Sequence, residues 1–165
     1  MVYPKQITNI DGKEVVFEWM KGVDFKRYNP ITQSYGIVFN KNGEVLIGRA
    51  GVQSSWNLPG GTIEGEETPL DALKRELIEE VDIEVFCASE LGLLKVYGTI
   101  DKEKVFYQAR YVVFDYICLE QTPDPAKNIL WDRKFVAIDK ISKYVKWGKT
   151  GEVMFKDAFN LWNIV

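Results

Sequence analysis

The sequence predicts an α/β protein, an α/β/α sandwich built on a mixed β-sheet, and three observations favour this class. Short apolar runs typical of strands fill most of the chain, an amphipathic helix interrupts them near residue 70, and a second helical segment closes the chain. This order of strands and helices is consistent with a sheet that carries helices on both of its faces. At 165 residues and 46% hydrophobic composition, the chain is most simply one domain, residues 1–165.

Turn residues divide the predicted strands. Asp11-Gly12 predicts an early hairpin, and segment 1–28 is interpreted as a variable N-terminal extension. Lys41-Asn42-Gly43 predicts a hairpin between two strands, because Asn-Gly is a strong signal for a tight turn. The other end of the chain is predicted to be a helix that Thr150 caps and that ends near Trp162. The predicted strands cover residues 14–19, 34–40, 44–48, 83–88, 91–97, 105–119 and 135–138.

The central helix has a clear start and a clear buried face. Thr68 is a suitable N-cap, Pro69 fits the first turn, and Asp71 favours the positive end of the helix dipole. An apolar stripe about 80° wide predicts the side that packs on the core. The residues of this stripe are Leu70, Leu73, Leu77 and Val81.

Three acids lie beside this apolar stripe rather than opposite it. Glu76, Glu79 and Glu80 fill an adjoining sector roughly 100° wide, and Arg75 is the only base inside this run, placed to pair with Glu79. Unneutralised acids on a partly sheltered surface are costly unless a cation joins them. Carboxylate oxygens suit Mg²⁺ or Mn²⁺, whereas the alternative is a solvated, charged helix face.

The segment from Gly61 to Ile83 resembles the signature of the Nudix hydrolase family. That signature reads Gly, five residues, Glu, seven residues, Arg-Glu, an aliphatic residue, any residue, Glu-Glu, any residue, Gly and an aliphatic residue. The chain matches it at Gly61, Glu67, Arg75-Glu76-Leu77, Glu79-Glu80 and Ile83, and it has Asp82 at the second glycine position. The preceding run Trp56–Gly60 is also similar to the family's usual entry to this box. The resemblance implies the same α/β/α sandwich.

The resemblance further implies a metal-dependent hydrolase. It would cleave a diphosphate bond in a nucleoside diphosphate-linked substrate, such as a nucleoside triphosphate, by attack of water at phosphorus. Glu76 and Glu80 are then the principal metal ligands, with Glu79 and the Gly60 carbonyl as further ligands to Mg²⁺ or Mn²⁺. Arg75 would orient a glutamate rather than contact the substrate.

Several roles stay open on the sequence alone. The general base is Glu79, Glu67 or a carboxylate outside the box, and Glu120 is a candidate for an extra ligand, with a solvated strand end as the alternative. Arg49 could meet a phosphate or form a surface ion pair. Trp56 is the first candidate to stack on a base, although core packing is the commoner role of such residues. The other candidates for stacking are Tyr35, Tyr97 and Phe159.

Two other functions compete with hydrolysis. A non-hydrolytic nucleotide-binding sensor or regulator on the same fold is the main alternative, although loss of box glutamates would favour it and all four are present. Isopentenyl diphosphate isomerase shares the fold but needs a metal set that includes histidines. The chain has no histidine, which weakens that reading.

Composition sets the remaining expectations. A net charge of −3 without a long basic run predicts no general nucleic-acid binding, so the expected partner is a small nucleotide. No apolar stretch reaches membrane length, and the cytoplasm is the expected location. A homodimer is compatible with the sequence. Cys87 and Cys118 each lie in an apolar run and are predicted to be reduced, buried strand residues.

Asp82 is the one departure from the signature. A residue at this point is expected to end the helix in the left-handed conformation, which glycine adopts more easily than Asp. The Asp charge also opposes the helix dipole. These two costs predict that Asp82→Gly stabilises the protein by up to ~1 kcal/mol. The competing idea is that Asp82 is an additional metal or substrate ligand.

Overall fold

The structure, a computed structural model, describes residues 3–101 and 104–165. It contains eight strands and two α-helices, with short 3₁₀ helices at Phe25–Arg27 and Ile138–Lys143. Neither α-helix is long and apolar enough to cross a membrane. The elements are β1 (Lys5–Ile10), β2 (Lys13–Lys21), β3 (Ile31–Val38), β4 (Glu44–Arg49), β5 (Gly60–Thr62), α1 (Pro69–Val81), β6 (Ile83–Gly98), β7 (Val105–Cys118), β8 (Asp132–Ala137) and α2 (Gly148–Trp162).

A six-stranded mixed sheet forms the centre of the molecule. Its strand order is β1-β2-β6-β7-β3-β5, and β3 runs parallel to β7 while the other neighbours are antiparallel. Strands β4 and β8 form a separate antiparallel pair. The predicted hairpin at Asp11-Gly12 is confirmed, and it joins the main sheet because β2 pairs with β6. The first two residues of the predicted extension 1–28 lie outside the described residues.

The two helices cover opposite faces of this sheet. On one face, Leu73, Leu77 and Val81 of α1 are fully buried in a cluster that includes Val38 and Val113. The other face packs in a second cluster with the buried side of α2, which contributes Met154, Phe155 and Ala158. The predicted α/β/α sandwich on a mixed sheet is therefore confirmed.

The turn at Lys41-Asn42-Gly43 forms, but the strands on either side separate instead of making a hairpin. One bridge, Phe39 to Val45, links them before β3 continues beside β7 and β4 pairs with β8. The run Val45-Leu46-Ile47 is at most 1% exposed. Strand β4 thus buries both of its faces. It achieves this burial inside the molecule, paired with β8, rather than at the edge of the main sheet.

Two predicted strands, 83–88 and 91–97, are one continuous strand. Strand β6 changes register at three points, including a bulge between Glu90 and Gly92. A Cβ on Gly92 would collide with the backbone of Met20, so glycine permits β6 to approach β2 closely. The gap between the two predicted strands therefore corresponds to a bulge within a 16-residue strand.

Two further predictions are wrong. Thr150 lies inside α2, which begins at Gly148, and its hydroxyl bonds to the carbonyl of Trp147 and to Gln6. Cys87 and Cys118 are free thiols, as predicted, but they are exposed rather than buried, because Cys87 lies where β6 changes register and Cys118 is the last residue of β7. Strand ends and bulges turn side chains out of the core even within apolar runs.

The start of α1 agrees with its prediction. Thr68 and Asp71 form a capping box, in which the Thr68 hydroxyl accepts from the Asp71 N–H and the Asp71 carboxylate accepts from the Thr68 N–H. The pKa of Asp71 is lowered, chiefly by its hydrogen bond from the Thr68 side chain. These bonds satisfy orphan donors of the first helical turn and define where α1 begins.

Asp82 ends α1 in the left-handed conformation, with φ of 51° and ψ of 48°, as predicted. Its carboxylate, however, makes hydrogen bonds through Oδ1 that the sequence analysis did not predict, while Oδ2 is buried without a hydrogen-bond partner among the described residues. Asp82 is only 3% exposed, and its Oδ1 accepts hydrogen bonds from the Thr122 N–H at 3.0 Å and the Thr122 hydroxyl at 2.8 Å. Asp82 therefore connects the loop after β7 to the end of α1. Its carboxylate accepts these bonds from Thr122 and does not use them to position the box glutamates.

We expect Asp82→Gly to destabilise the protein by about 1–2 kcal/mol, because two bonds to a buried carboxylate outweigh the relief at positive φ. Asn128→Gly is the matched control. Asn128 also has positive φ, at 52°, but is exposed, so this change should be neutral or slightly stabilising. Urea unfolding of the two variants measures the difference, and a more stable Asp82→Gly protein would restore the original expectation.

Candidate active site

The site forms where the short strand β5 meets α1, and two glycines allow the contact. Gly60 has φ of +142°, and a Cβ there would collide with the Ser34 carbonyl and with Tyr35. A Cβ on Gly61 would lie 2.5 Å from Glu76 Oε1. The helix carboxylates thus lie directly against the β5 backbone, and any side chain at these positions would separate them.

Arg75 joins the acids of the signature. Its Nε and one terminal nitrogen bind the two oxygens of Glu67 at 2.6 and 3.0 Å. The other terminal nitrogen binds Glu76 Oε1 at 3.0 Å and Glu79 Oε2 at 3.1 Å, and a bond to the Thr62 carbonyl completes the set. The predicted pair with Glu79 is present, but the bidentate partner is Glu67. This geometry supports the interpretation of Arg75 as a residue that orients glutamates.

The ion pair with Arg75 makes Glu67 a poor proton acceptor at neutral pH. The hydrogen bonds from Arg75 lower the pKa of Glu67 to about 2, with a further contribution from the Glu64 N–H. A general base works best with a pKa near the operating pH. The lowered pKa therefore argues against Glu67 as the general base.

Glu80 is the most unusual acid of the cluster. It is 8% exposed, and the Gly60 N–H donates to its Oε2 at 3.0 Å. Burial raises the pKa of Glu80 to about 8, and the nearby charge of Glu76 acts in the same direction. Burial also raises the pKa of Glu76 despite its bond to Arg75. Two desolvated carboxylates beside each other create a strong demand for positive charge.

The donor set fits a hard divalent cation. As arranged, no three acidic or cysteine side chains in residues 3–101 and 104–165 are positioned to hold a metal ion. Arg75, however, contacts only one oxygen of Glu76 and one of Glu79, which leaves the other oxygen of each free of Arg75. With Glu80 and the Gly60 carbonyl, these oxygens are the kind that Mg²⁺ and Mn²⁺ prefer.

The loop that follows β7 contains Glu120, which the sequence analysis named, and Asp124, which it missed. Glu120 is exposed and forms no side-chain hydrogen bond or ion pair within the described residues. Asp124, by contrast, is 4% exposed, accepts hydrogen bonds from Ala126, Lys127 and the Trp131 indole, and adds to the field that raises the pKa of Glu80. The one sequence feature that could have drawn attention to Asp124 is its position between Pro123 and Pro125.

Arg49 and Trp56, the predicted substrate-binding residues, contact each other. Arg49 forms an ion pair with Asp132 at 2.8 Å, and its guanidinium lies 4.6 Å from the centre of the Trp56 ring. Lys134 lies 4.3 Å from the same ring. The surface ion pair given as the alternative for Arg49 is therefore present. Phe159 is partly buried against Phe39, and it also lines a second cavity beside the 3₁₀ helix Ile138–Lys143.

A cavity of about 280 Å³ lies on the opposite side of β3 from the acids. Tyr35 lines it, and its pKa is raised by burial, with Glu80 and Glu76 close enough to add to the effect and Arg110 acting against it. Arg110, which the sequence analysis did not single out, is 1% exposed and lines the same cavity. In the sequence, Arg110 lies within the predicted strand 105–119, and no feature distinguishes it from the other residues of that strand.

The NUDIX domain profile matches residues 32–155. The chain belongs to the Nudix family. An RNA pyrophosphohydrolase of Actinobacillus succinogenes is 43% identical over 77 residues, which cover 43% of this chain and 38% of that protein. The enzyme of the same name from Hydrogenovibrio crunogenus is 38% identical over 68 residues and 41% of each chain. The chain thus spans less than half the length of these curated relatives.

Solved structures support the fold. A pyrophosphohydrolase of Bacillus subtilis superposes with a TM-score of 0.70 at 18% identity, covering 94% of this chain and 97% of that one. A MutT structure from work on Aliivibrio salmonicida and Vibrio cholerae gives a TM-score of 0.56 at 20% identity, covering 79% and 98%. At these identities the likeness concerns the Nudix fold.

Glu80→Gln is expected to stabilise the metal-free protein. A folded pKa of about 8 against the ordinary 4.5 means that the folded state binds the extra proton between these values, so wild-type stability falls as pH rises through this window. Gln is neutral and can still accept from Gly60. At about pH 8.5 the variant should melt roughly 2–4 °C higher than wild type.

The chain has no histidine, so the groups that can titrate in this window are mainly carboxylates with a raised pKa, and Glu76 is the one beside Glu80. The pH dependence of melting across this window should therefore weaken in Glu80→Gln. Glu66→Gln, a change of an exposed acid outside the signature, should keep it. A melting temperature of Glu80→Gln at or below that of wild type at the higher pH would contradict a desolvated Glu80.

Proposed function

We propose that this protein is a metal-dependent pyrophosphohydrolase that cleaves a diphosphate bond in a nucleotide substrate. The observation that carries the proposal is the pair of desolvated carboxylates, Glu76 and Glu80, held against the Gly60–Gly61 backbone. A phosphate chain would be repelled by this site without a cation. Carboxylates so arranged are suited to hold Mg²⁺ or Mn²⁺, and membership of the Nudix family supports this chemistry.

Each residue then has a distinct role. Glu76, Glu80 and Glu79 would hold the metal together with the Gly60 carbonyl, and a bound metal would neutralise the phosphate charge and activate water. Arg75 keeps Glu76 and Glu79 in place through single hydrogen bonds. Glu79 is the preferred base of the box, because Glu67 is held ionised by Arg75.

The substrate class extends from free nucleotides to the 5′ end of RNA. The curated relatives are named RNA pyrophosphohydrolases, which makes the expectation of no nucleic-acid binding doubtful. A triphosphate RNA end and a nucleoside triphosphate present the same phosphate chain to the carboxylates. The sensor alternative is less favoured, because the four signature glutamates and Arg75 form one connected network.

We expect activity to require Mg²⁺ or Mn²⁺, and Glu76→Gln or Glu80→Gln to lower kcat by at least ~10²-fold with the fold intact. Each change removes a charged ligand without removing its hydrogen-bonding ability. Glu66→Gln is the control and should retain wild-type activity. Pyrophosphate release with and without EDTA measures the effect, and full activity in EDTA would remove the metal assignment.

A substrate panel tests the reaction class. It contains nucleoside triphosphates, ADP-ribose, nucleotide sugars, dinucleoside polyphosphates, NADH and a short 5′-triphosphate RNA. At least one should be cleaved inside its diphosphate, and H₂¹⁸O should deliver its label to a phosphorus atom of the product. Cleavage of phosphomonoesters alone would contradict the mechanism. Tight, metal-dependent binding of a nucleotide without turnover would support the sensor instead.

A further inference from the structure

Arg75 is fully occupied by groups of the protein itself. Arginine has five N–H donors. Those of Arg75 bind Glu67 twice and bind Glu76, Glu79 and the Thr62 carbonyl once each. Arg75 therefore has no donor left for a substrate. A phosphate chain carries several negative charges, and phosphoryl-transfer sites hold its oxygens with lysine or arginine in addition to metal ions.

Lys74 is the other basic residue of α1, and it faces away from the acids. At about 100° per residue, it lies on the opposite side of the helix from Glu76 and Glu80. Its charge acts on Asp71 in the first turn instead. A cation that meets the substrate is therefore expected from another segment of the chain.

The β7–β8 loop, residues 119–131, is attached to the last turn of α1. The Leu119 N–H donates to the Asp82 carbonyl at 2.8 Å, and the N–H and hydroxyl of Thr122 donate to the Asp82 carboxylate. Arg133, just after the loop, donates to the carbonyls of Asp82 and Leu119 at 3.3 and 3.0 Å. Both ends of the loop thus join the helix end that carries Glu80.

Within the β7–β8 loop, Asp124 holds a tight turn that contains Lys127. The Asp124 carboxylate accepts from the N–H groups of Ala126 and Lys127 at 2.8 and 3.2 Å, and from the Trp131 indole at 3.2 Å. The Asn128 N–H donates to the Asp124 carbonyl at 2.7 Å. These bonds fix the backbone of Lys127. Its ammonium lies 5.3 Å from the centre of the Trp131 ring, within the range of a cation–π contact.

The ammonium of Lys127 lies near the acids but contacts none of them. Lys127 is exposed, and among the described residues its side chain forms no ion pair or hydrogen bond. Its charge nevertheless acts on Glu80, where it opposes the burial that raises the pKa of that carboxyl. A lysine that only balanced the acids would gain most from direct contact with one of them. The three N–H donors of this ammonium are instead available to a ligand.

We propose that Lys127 is a substrate-binding residue whose ammonium donates to a non-bridging oxygen of the phosphate chain. The inference rests on the proposed function, because it assigns a residue to the substrate of the same site. The acids of α1 would hold the metal, while the β7–β8 loop provides a positive charge of the protein itself. A compact ammonium with rotatable donors suits a single phosphate oxygen.

Two binding measurements on Lys127→Met test the proposal, because they should change in opposite directions. Removal of a positive charge near Glu80 should tighten the binding of Mn²⁺ alone by about 2- to 4-fold. The same change should weaken the binding of methylenediphosphonate at saturating Mn²⁺ roughly 10-fold, because a charged hydrogen bond is lost. This probe keeps two linked phosphorus groups, has no base and cannot be hydrolysed at its bridge. Calorimetric titration measures both affinities.

Two further variants are the controls. Lys127→Arg keeps the charge and the donors, so both affinities should stay within about 3-fold of wild type. Lys149→Met also removes one exposed lysine, but from α2, which covers the face of the sheet opposite α1. It should leave both affinities unchanged. The melting temperature of Lys127→Met should equal that of wild type, because the side chain is exposed.

Each pattern of results decides the proposal. Weaker binding of the diphosphonate by Lys127→Met, with Mn²⁺ binding unchanged or tighter, supports it. Weaker binding of both ligands would make Lys127 a support of the loop. Tighter Mn²⁺ binding with diphosphonate binding that is unchanged or tighter would make it only a charge that balances the acids. Either of these results overturns the proposal, as does unchanged binding of both ligands.

Steady-state kinetics separates this inference from the proposed function. With a substrate that the wild type cleaves, Lys127→Met should raise KM roughly 10-fold and leave kcat within a few fold, whereas Glu80→Gln lowers kcat. Hydrolysis by Lys127→Met at the wild-type KM would keep the function and remove this role of the lysine. Diphosphonate binding that depends on Lys127, with no substrate of the panel cleaved, would keep the role and remove the function.

Discussion

The close approach of the Gly60–Gly61 backbone to α1 is the constraint on which the site depends. Strand β5 is only three residues long, and it is held on one side by β3 and on the other by the helix acids. A Cβ at either glycine would meet backbone or carboxylate atoms. This contact keeps Glu76 and Glu80 desolvated, and their demand for a cation follows from that burial rather than from the number of acids.

Charge within the site is distributed by one arginine. Arg75 satisfies Glu67 with two bonds but gives Glu76 and Glu79 one each, and it reaches Glu80 with none. The four glutamates of one short motif therefore have different environments, from an ionised Glu67 to a buried Glu80 with a raised pKa. This unneutralised charge costs stability in the metal-free protein, and a divalent cation bound at the site would remove that cost.

Much of the fold and the core of the site follow from local patterns, whereas long-range pairing does not. The Thr68 cap, the apolar stripe and the Asp11-Gly12 hairpin depend on neighbours in sequence, and the structure contains all three. The Asn42-Gly43 turn was predicted from its sequence. That β3 then pairs with β7, and β4 with β8, depends on how the layers pack, which no local sequence signal indicates. Arg110 was missed for the same reason, because only the packing of α2 and β3 around it reveals a charge without a partner.

Strand β3 separates two regions of opposite charge because neighbouring residues of a strand point to opposite faces. Ser34 and Gly36 face α1, where Gly36 has room for the leucines of the helix, while Tyr35 faces the cavity beside Arg110. Acids are concentrated on the helical side and donors on the cavity side. The free protein therefore carries a charge imbalance on each side of β3, a buried Glu80 with a raised pKa on one side and a buried Arg110 without an acidic partner among the described residues on the other.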